Sequence, residues 1–155
     1  MIFTTYFGKN VDPRYQRCID SIREIYPDLV IFQYPCREAE EISDYRARSD
    51  VTRIKIMGEF REALYFDADV LLHRPLDLSG EGPTFHSCFN DPDVCMMYHR
   101  EKREFFQRLF RDFLRRPYDR PCTVQSLLRN QYFDKITLYE PKGEYEHLML
   151  SQKPT

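Results

Sequence analysis

The sequence has no tryptophan and no apolar run approaching the ~20 residues that a membrane-spanning helix needs. Residues 1–7 lack the basic start and the long apolar stretch of a secretory signal peptide, so we expect no such signal. The net charge is only −2, so nothing favours nucleic acid or an acidic membrane surface as a general partner.

The cysteines are odd in number and include no CxxC pair, a pattern that argues against a zinc site. We expect buried, reduced thiols in a cytoplasmic protein. They are Cys18, Cys36, Cys88, Cys95 and Cys122.

A length of 155 residues predicts a single domain, 1–155, and the 42% of hydrophobic residues can supply its core. Residues 2–7 are β-branched and aromatic and predict a first strand. A helix is expected to begin at Asp12 and Pro13, with the acid as cap and proline in the first turn. Residues 29–32 predict a second buried strand. This β-α-β opening is typical of nucleotide-binding α/β domains.

A second helix is predicted over residues 44–57, ended by Gly58, whereas residues 37–43 give no clear pattern. Arg46, Asp50, Arg53 and Met57 recur at helical spacing and share one face. Such a face is often only a surface salt bridge, and that interpretation stays open beside a functional one.

Residues 63–72 form a short apolar run interrupted by Asp67 and Asp69, which predicts a buried strand ending in two carboxylates. In open α/β sheets the ligand lies at the carboxyl ends of the strands. Two neighbouring carboxylates repel each other unless a cation or proton lies between them, and a hard divalent metal is the simplest partner. The alternative is a strand end with two solvated acids.

The second half predicts strands at 84–86, 93–98 and 135–139 and an amphipathic helix over 100–116. Pro117 and Pro121 mark a connection, and Thr123 is a candidate cap for a short helix ending at 128. Residues 145–155 are predicted to be a tail. Three isolated histidines are assigned structural roles: His73, His86 and His99.

Three motifs together resemble small GT-A glycosyltransferases, especially families 32 and 8. The first is Asp67-Ala68-Asp69 with its flanking residues, similar to "YxDxDxxxxxPL". The second runs from Ser49 to Arg53, similar to "SDxxR". The third, residues 147–154, resembles the "HxxGxxKP" ending of family 8, with Leu150 in place of its glycine.

The resemblance implies an α/β fold: a single GT-A (Rossmann-like) nucleotide-sugar-binding domain with a mixed, mainly parallel sheet flanked by helices. It implies a hexosyltransferase that uses a nucleotide sugar, usually a UDP-sugar, and retains the anomeric configuration. The acceptor, a glycan, lipid or protein, stays open. Its specificity is expected to lie in residues 37–43 and 116–131, because these segments show no clear pattern. Residues 141–155 are expected to close over the site.

The resemblance also assigns residues to roles. Asp69 and His147 would bind the metal, Mn²⁺ or else Mg²⁺, and Asp67 would contact the ribose, the sugar and the metal shell. Asp50 and Arg53 would contact donor-sugar hydroxyls, and Lys153 the diphosphate. Residues near the base and ribose complete the set: Thr4, Thr5, Tyr6 and Ala68.

Two other functions are compatible with the same sequence. A strand ending in Asp-x-Asp also opens haloacid-dehalogenase-type phosphatases, but there the motif normally follows the first strand, and here it follows the third. A non-catalytic sugar-nucleotide-binding protein is the other alternative, since 155 residues leave little chain for an acceptor site.

Overall fold

The computed structural model describes residues 1–115 and 124–150. Within these ranges the strands are β1 (Ile2–Thr5), β2 (Val30–Phe32), β3 (Glu62–Phe66), β4 (Val70–Leu72), β5 (Thr84–Cys88), β6 (Asp91–Arg100), β7 (Thr137–Tyr139) and β8 (Tyr145–His147). The α-helices are α1 (Pro13–Ile25), α2 (Tyr45–Met57), α3 (Arg103–Leu114) and the short α4 (Val124–Leu127). No helix in the described part of the chain combines the length and the apolar character needed to cross a membrane.

The described strands form a six-stranded sheet in the order β2-β1-β3-β6-β5-β7 and a two-stranded sheet of β4 and β8. In the large sheet β1 runs parallel to both β2 and β3, and β5 runs parallel to β7. The long strand β6 runs antiparallel to β3 on one side and to β5 on the other. The predicted mixed, mainly parallel α/β sheet is therefore confirmed.

Both long helices of the first half begin where the sequence predicts. The Asp12 side chain accepts a hydrogen bond from the Arg14 amide at the start of α1, and Asp44 accepts one from the Ala47 amide at the start of α2. Gly58 ends α2 in an ordinary right-handed conformation. A Cβ at this position would lie 3.1 Å from Cγ of Gln107, so glycine permits the close packing of α2 on α3.

The central strand β3 alternates between two hydrophobic clusters, one on each face of the sheet. Ala63 and Tyr65 belong to the cluster beneath α2 and α3, whereas Leu64 and Phe66 belong to the cluster beneath α1 and β4. Of the predicted inner face of α3, Phe106, Leu109 and Phe113 are buried, and Phe105 and Phe110 pack at the edge of the same cluster. Burial on both faces explains why β3 reads as a continuous apolar run.

Several sequence-based boundaries were wrong. Residues 145–155 are not simply a tail, because Tyr145–His147 pairs with β4 in antiparallel register. The strand predicted at 135–139 begins only at Thr137, after a 3₁₀ turn at Phe133–Lys135, and a similar turn at Arg37–Ala39 occupies the unassigned segment. The predictions for Pro117, Pro121 and Thr123 lie outside the described residues.

The cysteine prediction holds in part. Among the described cysteines none forms a disulfide, and Cys18 and Cys95 are buried as expected. Cys36 is half-buried and Cys88 is exposed, so the prediction of buried thiols is wrong for Cys88. The cytoplasmic location stays a prediction.

Candidate functional site

The two carboxylates lie in a tight turn between β3 and β4. The Asp67 amide donates a hydrogen bond to the Cys95 carbonyl at 2.8 Å, which extends the pairing of β3 with β6 by one residue. The Val70 amide then donates to the Asp67 carbonyl at 3.0 Å and closes the turn. Asp67 and Asp69 are thus held at the carboxyl end of a central strand, as the sequence predicts.

Strand β8 brings His147 to this turn. His147 pairs with Val70 in the β4–β8 ladder, and the Leu148 amide donates a hydrogen bond to the Asp69 carbonyl at 3.0 Å. The His147 Nε2 atom consequently lies 2.9 Å from Asp69 Oδ1 and 3.3 Å from Asp67 Oδ2. The expected convergence of these three side chains is present despite their separation in the sequence.

The other oxygen of each carboxylate is held by the protein. Asp67 Oδ1 accepts hydrogen bonds from the Tyr65 hydroxyl at 2.6 Å and from Arg53 Nη1 at 2.7 Å. Asp69 Oδ2 accepts one from the Leu150 amide at 3.0 Å. Each carboxylate is therefore anchored through one oxygen and presents the other to His147.

The electrostatics of the cluster follow from this geometry. Burial favours the neutral imidazole, but the hydrogen bonds to Asp67 and Asp69 outweigh it and raise the pKa of His147 well above its ordinary value. Burial also opposes ionisation of Asp67, but Arg53 and His147 outweigh it and lower the pKa of Asp67. Burial, assisted by Asp67, holds the pKa of Tyr65 well above its ordinary value, so the phenol is a neutral donor.

The donor set suits a divalent cation. One atom from each of Asp67, Asp69 and His147 lies within 4.8 Å of the others. Two carboxylate oxygens and an imidazole nitrogen fit Mn²⁺ better than Mg²⁺, because Mg²⁺ prefers oxygen ligands alone. A cation here would also offset the repulsion between the two carboxylates. These residues therefore fit a metal cofactor.

Asp50 and Arg53 do not form an exposed salt bridge. Their side chains are only 15% and 10% exposed, with Arg53 Nη1 lying 3.6 Å from Asp50 Oδ1. Arg53 also donates to Asp67 and, through Nη2, to Ser49 Oγ at 2.6 Å, and it lies over the Tyr65 ring. Burial raises the pKa of Asp50 to about 6, although Arg53 opposes this shift. The pair is therefore not an exposed surface salt bridge, and Arg53 links it to Asp67. Contact of either side chain with a donor sugar stays a prediction.

The residues predicted near the base and ribose lie at the end of β1 and in the turn. Thr4 and Thr5 are buried, and Thr5 Oγ1 lies 3.4 Å from the Tyr65 hydroxyl. The Tyr6 hydroxyl accepts a hydrogen bond from the Asp12 amide, and Ala68 is buried between the two aspartates. Their contacts with a nucleotide stay predictions, as does that of Lys153, which lies outside the described residues.

The three remaining histidines have hydrogen-bonding or ionic partners outside the group of candidate metal ligands. His99 is buried, donating through Nε2 to the Met57 carbonyl and accepting at Nδ1 from the Lys102 amide. His86 pairs with the Tyr145 hydroxyl, and the exposed His73 lies 3.4 Å from Glu146. None of the three belongs to the group of candidate metal ligands.

Three supporting roles were not predicted from the sequence, those of Tyr65, Ser49 and Leu150. For Tyr65 a signal was available, because residues i and i+2 of a strand face the same side and Tyr65 precedes Asp67 by two. Ser49 and Arg53 are likewise one helical turn apart. No sequence signal identifies Leu150, since its contribution is a backbone amide.

The sequence matches no protein-family model and no curated protein. The fold, in contrast, is shared with solved glycosyltransferases. One is involved in the glycosylation of the major capsid of the virus PBCV-1 (TM-score 0.62, 14% identity, covering 90% of this chain and 81% of that one). Another is the glycosyltransferase GlyE of Streptococcus pneumoniae TIGR4, in its apo form (TM-score 0.54, 16% identity, covering 89% of this chain and 44% of GlyE). The chain therefore has the GT-A glycosyltransferase fold that its sequence motifs predict.

Proposed function

We propose that this chain is a metal-dependent glycosyltransferase that moves a hexose from a nucleotide sugar, a UDP-sugar by preference, to a glycan, lipid or protein acceptor. The observation that carries the proposal is the convergence of Asp67, Asp69 and His147 at the carboxyl end of β3. In open α/β sheets this edge is where ligands bind. The shared fold of solved glycosyltransferases supports the same reaction class.

The chemistry explains why such a site is needed. Breaking the bond between the sugar and the diphosphate places negative charge on the leaving group, and a bound divalent cation would supply the charge that stabilises it. Asp67 Oδ2, Asp69 Oδ1 and His147 Nε2 would hold that cation. Lys153 is proposed, from the resemblance, to contact the diphosphate. Retention of the anomeric configuration is part of the proposal and rests on the resemblance alone.

The remaining residues would orient the donor. Asp50 and Arg53 lie beside Asp67 in a largely buried position, which suits recognition of sugar hydroxyls by charged hydrogen bonds. Thr4 and Thr5 end β1 next to β3, and Tyr6 follows directly. These three residues border the same edge of the sheet and are proposed to contact the base and ribose. Ala68, between the two aspartates, is proposed to contact the nucleotide sugar as well.

The geometry of Asp67 weighs against a haloacid-dehalogenase-type phosphatase. In that reaction the first aspartate attacks phosphorus and needs an approachable oxygen. Here Oδ1 of Asp67 already accepts two hydrogen bonds, and Oδ2 lies next to His147. A non-catalytic sugar-nucleotide-binding protein shares the site geometry and is distinguished by the absence of turnover.

The test is hydrolysis of a panel of UDP-sugars by the purified chain, with and without Mn²⁺. In this reaction the bond from the sugar carbon to the diphosphate oxygen breaks, and a water oxygen bonds to that carbon. We expect Mn²⁺-dependent release of UDP and no release of phosphate from a generic phosphomonoester. Phosphate release instead would indicate a phosphatase. Donor binding with no turnover, even with candidate acceptors added, would indicate a binding protein.

Asp69→Asn is expected to remove the Mn²⁺-dependent turnover, because it deletes a charged ligand while preserving the shape of the side chain. The matched control is Glu146→Gln, which removes the same charge one residue from His147. Glu146 is exposed and faces His73, so this variant should keep its activity. Unchanged turnover in Asp69→Asn would contradict the proposal.

A further inference from the structure

The hydroxyl of Tyr65 is placed unusually for a core tyrosine. The residue is 1% exposed, and its ring packs against Phe3 with 5.1 Å between centroids. The hydroxyl emerges from this packing at the edge of the site and donates to Asp67 Oδ1 at 2.6 Å. The ring is fixed by its neighbours, so the direction of this hydrogen bond is fixed as well.

Asp67 needs such a support. The terminal torsion of an aspartate side chain is broad, so packing alone does not choose which way its two oxygens point. Tyr65 and Arg53 both donate to Oδ1, which leaves Oδ2 facing His147 Nε2. A half-turn of the Asp67 carboxylate would only exchange its two equivalent oxygens. A smaller rotation would break the hydrogen bonds from Tyr65 and Arg53.

Further polar groups connect the two donors. Ser49 Oγ accepts a hydrogen bond from Arg53 Nη2 at 2.6 Å. Thr5 Oγ1 lies 3.5 Å from Ser49 Oγ and 3.4 Å from the Tyr65 hydroxyl. These five residues form a closed ring of polar contacts, with Asp67 as the member that borders the cation site. Within such networks each hydrogen bond polarises and fixes its neighbours.

We propose that Tyr65 is a positioning residue of the cation site, which acts by holding Asp67 Oδ1 so that Oδ2 is presented to the metal. The inference rests on the proposed cation site but gives a role to Tyr65, the tyrosine of the YxDxD motif, to which the resemblance assigned none. Hydrogen-bonding partners of metal ligands commonly change metal affinity about 10- to 100-fold when removed. We expect a loss in this range for Tyr65→Phe.

The experiment measures the dissociation constant of Mn²⁺ by electron paramagnetic resonance, without nucleotide, together with the melting temperature. Tyr65→Phe keeps the ring and deletes the hydroxyl. The control is Tyr132→Phe, because the Tyr132 hydroxyl donates to Asp112, which is not among the candidate metal ligands. Both variants lose one hydrogen bond from tyrosine to aspartate, so both should melt somewhat earlier. Only Tyr65→Phe should bind Mn²⁺ more weakly.

The outcomes separate the two proposals. If the wild-type chain binds no Mn²⁺, the cation site and the role of Tyr65 both fail. If it binds Mn²⁺ and Tyr65→Phe binds equally well, or both variants weaken alike, only the positioning role is overturned. Should Tyr65→Phe not fold, Arg53→Lys takes its place, because it keeps the charge but loses the forked contact with Asp67 and Ser49. Unchanged Mn²⁺ affinity in Arg53→Lys would then overturn the inference.

Discussion

Cation binding is expected to strengthen as the pH rises, because His147 must lose a proton to become a ligand. In the structure Nε2 of His147 points at Asp67 Oδ2 and Asp69 Oδ1, where its hydrogen is shared. The same nitrogen would have to bind the metal. The pKa of His147 is raised well above its ordinary value, so the cation-free protein carries the extra proton at neutral pH. Asp67, with its lowered pKa, is already ionised and releases none.

The magnitude follows from the stoichiometry. Release of one proton makes the apparent affinity rise about tenfold per pH unit, so about 100-fold between pH 6 and pH 8. The stability of the cation-free protein changes in the opposite direction. A raised folded-state pKa contributes stability that is complete below the pKa of the unfolded imidazole and declines as the pH rises above it. The stabilisation by Mn²⁺ should therefore grow over this interval.

Isothermal titration calorimetry with Mn²⁺ provides the assay, in two buffers of different ionisation enthalpy at each pH. The wild-type chain should release about one proton per bound ion. His147→Gln should bind Mn²⁺ more weakly, and its affinity should no longer depend on pH. The control His73→Gln, at an exposed histidine, should keep the wild-type affinity and the wild-type pH dependence. A wild-type affinity that is independent of pH, or an unaltered slope in His147→Gln, would refute the reasoning.

Two further predictions concern the donor sugar and the core. Asp50→Ala should lower kcat/KM by one to two decades at nearly unchanged UDP affinity, because losing a charged hydrogen bond to a sugar hydroxyl costs about 1.5–3 kcal/mol. Equal losses in kcat/KM and in UDP affinity would contradict a sugar contact. His99→Phe should reduce the free energy of unfolding in urea by about 1–3 kcal/mol, because the Met57 carbonyl and the Lys102 amide lose their partner. The control His73→Gln should change the free energy of unfolding by less than about 0.5 kcal/mol.

Local chemistry made the first half of the fold predictable. Asp12 and Asp44 cap their helices through short-range hydrogen bonds, and the run before Asp67 is buried on both faces of the sheet, so each leaves a clear signal in its own segment. The strand Tyr145–His147 leaves no such signal. It has three residues, and it is stabilised by pairing with β4, a partner far away in the sequence.

The site residues likewise divide into those with a local sequence signal and those that depend on long-range contacts. Asp67, Asp69, Asp50 and Arg53 belong to spaced motifs and could be proposed from the sequence, and His147 came from the resemblance. The hydrogen bond from Arg53 to Asp67 could not be predicted, because it depends on how α2 lies against β3. The contact of the Leu150 amide with Asp69 depends on the path of the backbone after β8, which side-chain identity does not encode.

Asp69 accepts backbone hydrogen bonds from both Leu148 and Leu150, so the middle of the chain is joined there to a segment synthesised much later. A chain still emerging from the ribosome exposes Asp67 and Asp69 before His147 exists. At that stage the two carboxylates lack the imidazole that bridges them, and the proposed cation site is incomplete. The order of translation therefore sets the earliest moment at which the proposed cation site can form in a growing polypeptide.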